Sequence, residues 1–507
     1  MFHGGGLLHH GLVTANRIVL DNRVRIPQRV LGAEVVREIV GRFTYPNPDA
    51  AKAKAFGFRR RIPATLVTVR REGEYLTVPR GGFEAVKEIL QRADRWMRVE
   101  DHRFQGERWA APELRNPLYG YQEAMVAAAV DKPCCLWRSP QASGKTMSAL
   151  GFAVRVGLPT LVIVYTSNLL DQWVRRCEQQ MGPQAKDLVG VIKGQRFRLR
   201  PITIAMQQTL WRLPSTALKG QFGVVIADEV QLFASATFNK VIDEVDARYV
   251  LGVSGDERRA DGKEFLIYDQ FGDVAAEVRH EDLVDAGYIH EVEVRVVPTT
   301  FQADWYVGLP SPAQKVKMWD RLLTEIGSDP ERTRLVLATI RESVGEGGQT
   351  LVLCSRREYC HQLDSAATSD GFRSGLFIGG DDYREQFNST LARIERGECQ
   401  VAVGTLQAVG VGFDLPHVAR GIIATPVATS QTGRMQWQQF RGRFARTAPG
   451  KHDAVLYYLH DHHVFGDRPL KNLQRWNRKV SVWSSGRWID VRDYLKAKRG
   501  FEFGGKE

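Results

Sequence analysis

The sequence predicts an α/β protein in which two tandem domains, each built on a parallel β-sheet, follow a small α+β domain. Short apolar runs alternate with helix-like segments from about Leu118 onward, which is typical of parallel sheets covered by helices on both faces. These runs form two series, separated near residues 296–335 by a polar segment that contains proline. With 507 residues, 43% of them hydrophobic, the chain can bury several cores.

The first 105 residues have a different pattern. Residues 60–81 alternate in polarity like a hairpin, and residues 82–97 have the periodicity of an amphipathic helix. This region contains 19 Lys and Arg against 11 Asp and Glu, so most of the net charge of +12 lies in it. We therefore expect a domain over 1–105 that recognises nucleic acid, with a basic surface kept only for solubility as the alternative.

The apolar runs place the first parallel-sheet domain over 106–295 and the second over 336–480. Residues 296–335 are expected to form a connector with a short helical insertion, and residues 481–507 a C-terminal tail. The predicted strands of the first sheet are 134–138, 160–166, 202–206, 223–228 and 249–255, and those of the second are 350–355, 375–380, 400–405, 421–426 and 454–461.

Composition argues against two classes of protein. The longest apolar stretches fall short of the roughly 18 consecutive residues of a membrane span, and the N-terminus lacks the pattern of a secretory signal. Six cysteines without a CxxC pair are too few for a disulfide framework in a chain of this length. We therefore expect a cytoplasmic protein with no membrane partner.

The stretch SPQASGKT (139–146) has the context of a phosphate-binding loop, because an apolar strand precedes it and a helix-like segment follows. Backbone N–H groups of the loop, which includes Ser143 and Gly144, would point at the phosphates. Lys145 would supply a cation, and the Thr146 hydroxyl would reach Mg²⁺. The loop therefore predicts that ATP and Mg²⁺ bind here.

Two positions that usually hold glycine or a similar small turn residue are filled by Ser139 and Ala142, so the loop alone could be a chance turn. A second motif favours the nucleotide site. The segment GVVIADEVQ (223–231) predicts a buried strand that delivers two carboxylates at its C-terminal end. Asp228 would hold Mg²⁺, and Glu229 would orient and deprotonate the attacking water. Acidic residues at a strand end can also cap a helix, but both motifs in this order predict phosphoryl transfer.

With these residues identified, the chain resembles the superfamily 2 DNA helicases and translocases over roughly residues 110–480. The resemblance is greatest to the branch that contains the repair helicase XPB and the phage branch-migration helicase UvsW. It implies two RecA-like domains with ATP between them. The segment LYGYQ (118–122) is similar to the adenine-reading motif, in which Gln122 would read the base edge and Tyr119 or Tyr121 would stack on the ring.

Other segments are similar to motifs that contact DNA phosphates in this family. In the first domain these are VYTSNLLDQW (164–173) and ITIAMQQTL (202–210), and in the second they lie at strand ends. The segment LGVSGDERRADG (251–262) is similar to the motif that couples hydrolysis to movement, with Asp256 in place of the usual hydroxyl residue. The contacts that the resemblance implies are Thr166, Ser167, Thr203, Gln207, Ser355 and Thr405.

Two segments of the second domain, 403–416 and 436–446, are similar to motifs that reach the nucleotide in this family. The second of them has the pattern Gln-x-x-Gly-Arg-x-x-Arg. A guanidinium group there can neutralise charge on the transferring γ-phosphoryl when the cleft closes. Gln231 departs from the family, because histidine is common at that position. The residues that the resemblance assigns to the nucleotide are Gly412, Asp414, Gln439, Arg443 and Arg446.

In the N-terminal domain, Arg59, Arg60 and Arg80 are candidate nucleic-acid contacts, with a solvated basic loop as the alternative. The sequence as a whole predicts an ATP-dependent helicase or translocase acting on duplex or branched DNA in replication, recombination or repair. Two alternatives stay open: the motor subunit of a restriction or phage-defence complex, and a nucleotide-gated DNA clamp with little turnover. RNA is a possible partner, and a monomer is plausible.

Overall fold

The computed structural model describes residues 17–55, 62–214, 216–233, 236–256, 258–259, 261–410, 415–427 and 431–503. The chain divides into two units, with the main boundary in the sequence between Arg279 and His280. Each unit contains an eight-stranded and mostly parallel sheet, which confirms the predicted fold class. Within the described ranges, no helix is both long enough and apolar enough to cross a membrane.

The first unit begins with a small α+β region. Its helices are Ala33–Arg42, Pro48–Ala55 and Phe83–Arg92. Ile39 and Val86, from the first and third of these helices, are buried in the same core as sheet residues such as Leu76. Thr44–Pro46 and Thr65–Val67 form a separate two-stranded ladder. The five-stranded sheet has the order Arg70–Glu72, Tyr75–Pro79, Arg23–Pro27, Arg17–Leu20 and Arg98–Asp101.

The large sheet of the first unit carries the nucleotide motifs. Its central strands are buried along their whole length, as expected when helices cover both faces. The order is Arg196–Arg198, Val189–Lys193, Ile202–Met206, Thr160–Val164, Val224–Asp228, Tyr249–Ser254, Cys134–Arg138 and Val274–Glu277, and only Arg196–Arg198 runs antiparallel to its neighbour. The α-helices of this region are Gly120–Asp131, Lys145–Val156, Ser167–Met181, Ala185–Leu188, Gln207–Leu210, Ala236–Glu244 and Phe265–Phe271.

The second unit is built in the same way. Its sheet has the order Ser374–Phe377, Val401–Thr405, Thr350–Cys354, Arg420–Ile423, Ala454–His460, Val292–Pro298, Val480–Ser484 and Arg487–Asp490. The last of these strands is antiparallel to the one before it. The α-helices are His280–Asp285, Asp304–Val307, Pro312–Lys317, Trp319–Ser328, Pro330–Gly345, Arg357–Ser369, Arg384–Glu395, Leu406–Gly410, Gln431–Phe444, His462–Phe465, Arg468–Trp476 and Val491–Phe503.

Three boundaries differ from the sequence-based expectation. The strand Val292–Pro298 pairs in parallel with Ala454–His460, so the expected connector from residue 296 begins inside the second sheet. Residues 481–507 were expected to be a tail, but two strands and a helix lie between Val480 and Phe503. The expected N-terminal domain also packs against the first parallel sheet within one unit. In each case long-range pairing or packing, which the local pattern does not contain, sets the boundary.

Candidate nucleotide and nucleic-acid sites

The phosphate-binding loop lies between the strand Cys134–Arg138 and the helix Lys145–Val156. Gly144 has a φ of +73°, and a Cβ at this position would lie 2.6 Å from Nε2 of Gln122, so both the backbone and the close contact require glycine. Ser143 and Lys145 are buried, and Thr146 is half-buried. The strand, loop and helix therefore occur in the order that phosphate binding needs.

The predicted acidic pair lies beside Lys145. Nζ of Lys145 is 3.2 Å from Oε1 of Glu229, and both side chains are buried. Asp228 ends the strand Val224–Asp228, and burial, followed by the neighbouring Glu229 carboxylate, raises the pKa of Asp228 to about 6. Glu229 has a φ of +58°, a left-handed conformation that costs a non-glycine residue roughly 1–2 kcal/mol. Strain of this kind is common where a side chain must be aimed at a reacting group.

These residues fit a nucleotide bound with Mg²⁺. Nζ of Lys145 is buried and has no acceptor in hydrogen-bonding geometry among the described residues, so a phosphate oxygen would satisfy it. The Thr146 hydroxyl and the Asp228 carboxylate supply oxygen ligands, which Mg²⁺ prefers. A cation beside Asp228 would also stabilise the charged carboxylate that burial disfavours.

Three residues of this site were missed by sequence reasoning. Nε1 of Trp173 donates a 2.8 Å hydrogen bond to Oδ2 of Asp228 in the interior. Gln231 bridges two motifs: its Nε2 donates to Oε2 of Glu229 at 2.5 Å, and its Oε1 accepts a 2.6 Å hydrogen bond from Oγ of Ser254. Gln231, in place of the usual histidine, thus links Glu229 to Ser254. A polar residue within each motif is the only sequence signal for this bridge.

The expected adenine-reading residues lie next to the phosphate loop. Gln122 is buried, its Oε1 accepts a 3.0 Å hydrogen bond from the backbone N–H of Tyr119, and its Nε2 faces Gly144. The ring of Tyr119 is 56% exposed and stacks with that of Tyr121 at a centroid distance of 6.0 Å. An exposed aromatic pair beside a phosphate loop can accept a planar base.

The candidate nucleic-acid residues of the first unit follow two neighbouring parallel strands. Thr166 caps the helix Ser167–Met181, accepting a 3.3 Å hydrogen bond from the N–H of Leu169. Gln207 begins the helix Gln207–Leu210 but is buried, whereas Gln208 is half-exposed. Because Val164 and Met206 are paired in register, these two helix starts share the C-terminal edge of the sheet.

Two predicted nucleic-acid contacts are contradicted. Thr203 lies inside the strand Ile202–Met206 and is fully buried. Its hydroxyl forms hydrogen bonds with the backbone N–H and carbonyl oxygen of Arg200. Arg80 is also buried, and its guanidinium donates to the carbonyl oxygens of Ile242, Val245 and Ala247. Neither side chain is accessible to a phosphate. Arg59 and Arg60 lie outside the described residues.

In the second unit, Ser355 and Thr405 share one edge of the sheet, because Cys354 and Thr405 are paired in register. Oγ of Ser355 lies 2.7 Å from Oγ1 of Thr425, and Oγ1 of Thr405 accepts a hydrogen bond from the N–H of Ala408. Thr405 is buried, and Ser355 is half-buried. Both stay candidate contacts, with Ser355 the more accessible.

The second unit also contains the residues assigned to the nucleotide. Gln439 and Arg443 are half-buried and lie four residues apart on the helix Gln431–Phe444, hence on one helix face. Arg446 follows the helix and forms an antiparallel bridge with Ile289. Gly412 and Asp414 lie outside the described residues.

Comparison with known proteins agrees with this geometry. The profile of a family described as "Type III restriction enzyme, res subunit" matches residues 115–256, which contain the phosphate loop and the acidic pair. The chain is 24% identical over 326 residues to "Probable helicase D10" of Escherichia phage T5, covering 64% of this chain and 67% of the phage protein. It is also 24% identical over 332 residues to DNA 3'-5' helicase XPB of Mycobacterium tuberculosis, covering 63% of this chain and 56% of XPB.

These matches support a superfamily 2 helicase of the XPB-like branch, and with it an ATP-hydrolysing enzyme. Its fold is shared with Dbp5 of S. cerevisiae, solved bound to RNA and ADP BeF3, at a TM-score of 0.51 and 14% identity over 76% of this chain and 92% of Dbp5. The chain spans little more than half the length of its mycobacterial relative.

Proposed function

We propose that the protein is an ATP-driven helicase or translocase that acts on duplex or branched DNA. The observation that carries this proposal is the buried group of Lys145, Asp228 and Glu229 at the C-terminal edge of a parallel sheet, in a chain similar to superfamily 2 helicases. The printed descriptions of the relatives, "DNA 3'-5' helicase" among them, favour DNA and 3'-to-5' polarity. RNA stays a second candidate, because another relative is described as an RNA helicase.

The proposed chemistry starts from the ion pair between Lys145 and Glu229. A γ-phosphate would attract Lys145 and release Oε1 of Glu229 to orient and deprotonate the attacking water, while Gln231 holds Oε2. Thr146 and Asp228 would hold Mg²⁺, which neutralises charge on the phosphoryl oxygens when it is bound. Arg443 and Arg446 are proposed to stabilise that charge in the transition state, and Gln439 to contact the nucleotide.

Nucleic-acid contacts are proposed at Thr166, Ser167, Gln207, Ser355 and Thr405, which follow strand ends of the two sheets. Contacts to phosphates rather than bases would make stepping independent of sequence. We also propose that the protein acts in the cytoplasm as a monomer. Its proposed role lies in repair, recombination or branch migration. The restriction-motor and clamp alternatives have less support, because the characterised relatives are described as helicases.

The test measures ATP hydrolysis with single-stranded, duplex and forked DNA, a four-way junction and RNA, alongside strand displacement on each. Stimulation by a branched or duplex DNA is expected. Lys145→Ala and Glu229→Gln should each abolish stimulated hydrolysis without unfolding the protein, whereas Arg443→Ala should bind ATP but turn over slowly. Near-normal turnover in both Lys145→Ala and Glu229→Gln would refute the assignment.

A further inference from the structure

A basic hairpin forms one edge of the large sheet in the first unit. The strand Val189–Lys193 turns back through Gly194 into the edge strand Arg196–Arg198. Between Lys186 and Arg212 the sequence has six basic residues and a single acidic one, Asp187. None of the family-like motifs found in the sequence lies in the hairpin, so those motifs do not account for its charge.

Aromatic side chains are exposed on the same segment. Phe197 is 49% exposed between Arg196 and Arg198, and Trp211 is 42% exposed beside Arg212. Among the described residues, no ion pair involves Lys193, Arg196, Arg200 or Arg212. Charged residues on an edge strand can serve only to prevent pairing with other chains. That role does not require exposed Phe and Trp side chains, whereas a single-stranded nucleic acid uses both charge and stacking.

The hairpin is joined to the candidate nucleic-acid residues. The N–H of Gly194 in the hairpin turn donates a 3.0 Å hydrogen bond to Oγ1 of Thr209. Nε2 of Gln208 donates a 3.0 Å hydrogen bond to the carbonyl oxygen of Tyr165, next to Thr166. The hairpin turn, the helix Gln207–Leu210 and the start of the helix Ser167–Met181 therefore form one continuous surface.

Close packing and hydrogen bonds fix the backbone at the C-terminal end of the hairpin. A Cβ at Gly190 would lie 2.2 Å from the carbonyl oxygen of Arg198 and 2.9 Å from the backbone nitrogen of Arg200, so only glycine fits. Oγ1 of Thr203 accepts from the N–H of Arg200 at 3.0 Å and donates to its carbonyl oxygen at 2.8 Å. Thr203 thus fixes the backbone of Arg200, and a fixed backbone loses little entropy on binding.

We propose that this edge surface, comprising Lys193, Arg196, Phe197, Arg200, Trp211 and Arg212, binds a single-stranded segment of nucleic acid. Its basic side chains contact phosphates, and Phe197 and Trp211 stack on unpaired bases. Asp171 and Glu178 line the same depression as Arg196 and Arg198, and their negative charge disfavours a phosphate inside it. This inference rests on the proposed function, since it extends the nucleic-acid contacts beyond the family motifs.

The first test uses Arg196→Gln/Arg200→Gln and the anisotropy of a fluorescein-labelled 30-nucleotide oligo-dT. Affinity at about 0.1 M salt should fall roughly tenfold, and the slope of log K against log salt should become less negative by about 1.4, for two lost phosphate contacts. The matched control, Arg492→Gln/Lys496→Gln, removes two exposed charges from the C-terminal helix and should bind like wild type. Equal affinity and slope in the two double variants would overturn the proposal.

The second test addresses stacking. Phe197→Ala/Trp211→Ala should lower affinity for oligo-dT roughly tenfold or more and leave affinity for a blunt duplex unchanged, because only unpaired bases can stack. Equal losses on both substrates, or no loss on either, would refute the single-strand assignment. Thermal unfolding and ATP affinity show whether the Phe197→Ala/Trp211→Ala variant is folded. If it is not, the Arg196→Gln/Arg200→Gln variant still tests the proposal. If wild type itself binds no nucleic acid, the proposed function fails rather than this site.

Discussion

Trp173 is the residue whose contact adds most to the candidate active site. Its Nε1–H holds Oδ2 of Asp228 at 2.8 Å, and both side chains are buried, so it fixes the carboxylate proposed to bind Mg²⁺. Hydrogen-bond partners of metal ligands usually affect metal affinity strongly. The indole lies 55 residues from Asp228 in sequence, and no spacing rule connects the two.

Trp173→Phe keeps most of the buried ring and removes the N–H. We expect the Mg²⁺ concentration for half-maximal ATP hydrolysis to rise about tenfold, the lower end of the effect of such partners. Binding of a fluorescent ATP analogue should weaken when Mg²⁺ is present and stay unchanged in EDTA. Trp109→Phe is the control, because it removes a similar hydrogen bond, 3.0 Å to the carbonyl oxygen of Leu158. Equal Mg²⁺ requirements in the two variants would contradict the role.

Ala142 is a strained residue of the phosphate-binding loop, at a position where glycine is usual. Its φ of +69° lies in the left-handed region, where a Cβ is strained. We predict that Ala142→Gly stabilises the protein by up to about 1 kcal/mol, the relief of strain being partly offset by the greater freedom of glycine in the unfolded chain. Urea unfolding measures the difference. A loss of stability would show that the alanine is not strained there.

Lys145, Asp228 and Glu229 could be predicted because each is defined by its place after a buried strand. Thr203 and Arg80 could not be placed correctly, since the same residue type occurs inside a strand or in a buried contact as well as on a surface. Burial is decided by distant elements: in the case of Arg80, by the helix Ala236–Glu244 and the residues after it. Sequence therefore located the chemistry better than it located the binding surface.

At the scale of elements, arginines attach the N-terminal sheet to the first parallel sheet. Arg80 donates to the carbonyl oxygens of Ile242 and Val245 at the C-terminal end of the helix Ala236–Glu244, where a helix leaves carbonyl groups short of intrahelical donors. Arg23 and Arg70 both form ion pairs with Asp243 of the same helix, at 3.3 Å and 2.8 Å. A second contact joins Tyr45 and Thr68 to Asp269, each through a 2.6 Å hydrogen bond.

Arg80→Ala is expected to lower the free energy of unfolding of the first unit by about 3 kcal/mol. The change leaves buried carbonyl oxygens without a donor and creates a cavity. Arg70→Ala, which breaks a half-exposed ion pair to the same helix, should cost under about 1 kcal/mol. Chemical denaturation distinguishes the two. DNA affinity should be nearly unchanged in folded Arg80→Ala, and a specific loss of binding would restore the sequence-based role.

Elements with strong local patterns were predictable, including the central strands of both sheets. The strand Val292–Pro298 was divided between two expected segments, because its burial comes from pairing on both sides with Ala454–His460 and Val480–Ser484. The antiparallel strand Arg487–Asp490 is polar enough to be taken for a tail. Both elements are specified by partners distant in sequence, which a local pattern does not reveal.

At the scale of the whole molecule, counts of charged residues along the chain do not show where the net charge of +12 is exposed. Two arginines of the N-terminal region, Arg23 and Arg80, are buried in contacts with the helix Ala236–Glu244 and the residues after it. Their charge is therefore not available to a polyanion. In the segment from Lys186 to Arg212, by contrast, none of the six basic residues is buried. Exposure rather than number determines which region can bind nucleic acid.

A continuous set of contacts in the first unit links the proposed general base to the N-terminal region. Gln231 joins Glu229 to Ser254, whose Oγ accepts a 3.1 Å hydrogen bond from the N–H of Asp256. Arg259 donates to the carbonyl oxygen of Gln231 and pairs with Asp261, which accepts from the N–H of Lys263, and Lys263 forms a 2.5 Å ion pair with Asp49. The motif expected to couple hydrolysis to movement is thus held by contacts at both ends. Displacement of either end is therefore expected to shift the other.

This link predicts a double-mutant result. Gln231→Ala and Ser254→Ala each remove the same bridge to Glu229. Each should lower DNA-stimulated hydrolysis roughly ten- to hundredfold, because misplacing a general base reduces the rate by about that much. ATP affinity should stay near wild type. The double variant should be no slower than the slower single variant, because residues in one network are not additive. Ser343→Ala, which removes a buried 2.8 Å hydrogen bond to Thr350 in the second unit, is the control and should hydrolyse normally. Losses that simply multiply in the double variant would show that Gln231 and Ser254 act separately, and that the coupling loop reaches Glu229 by another route.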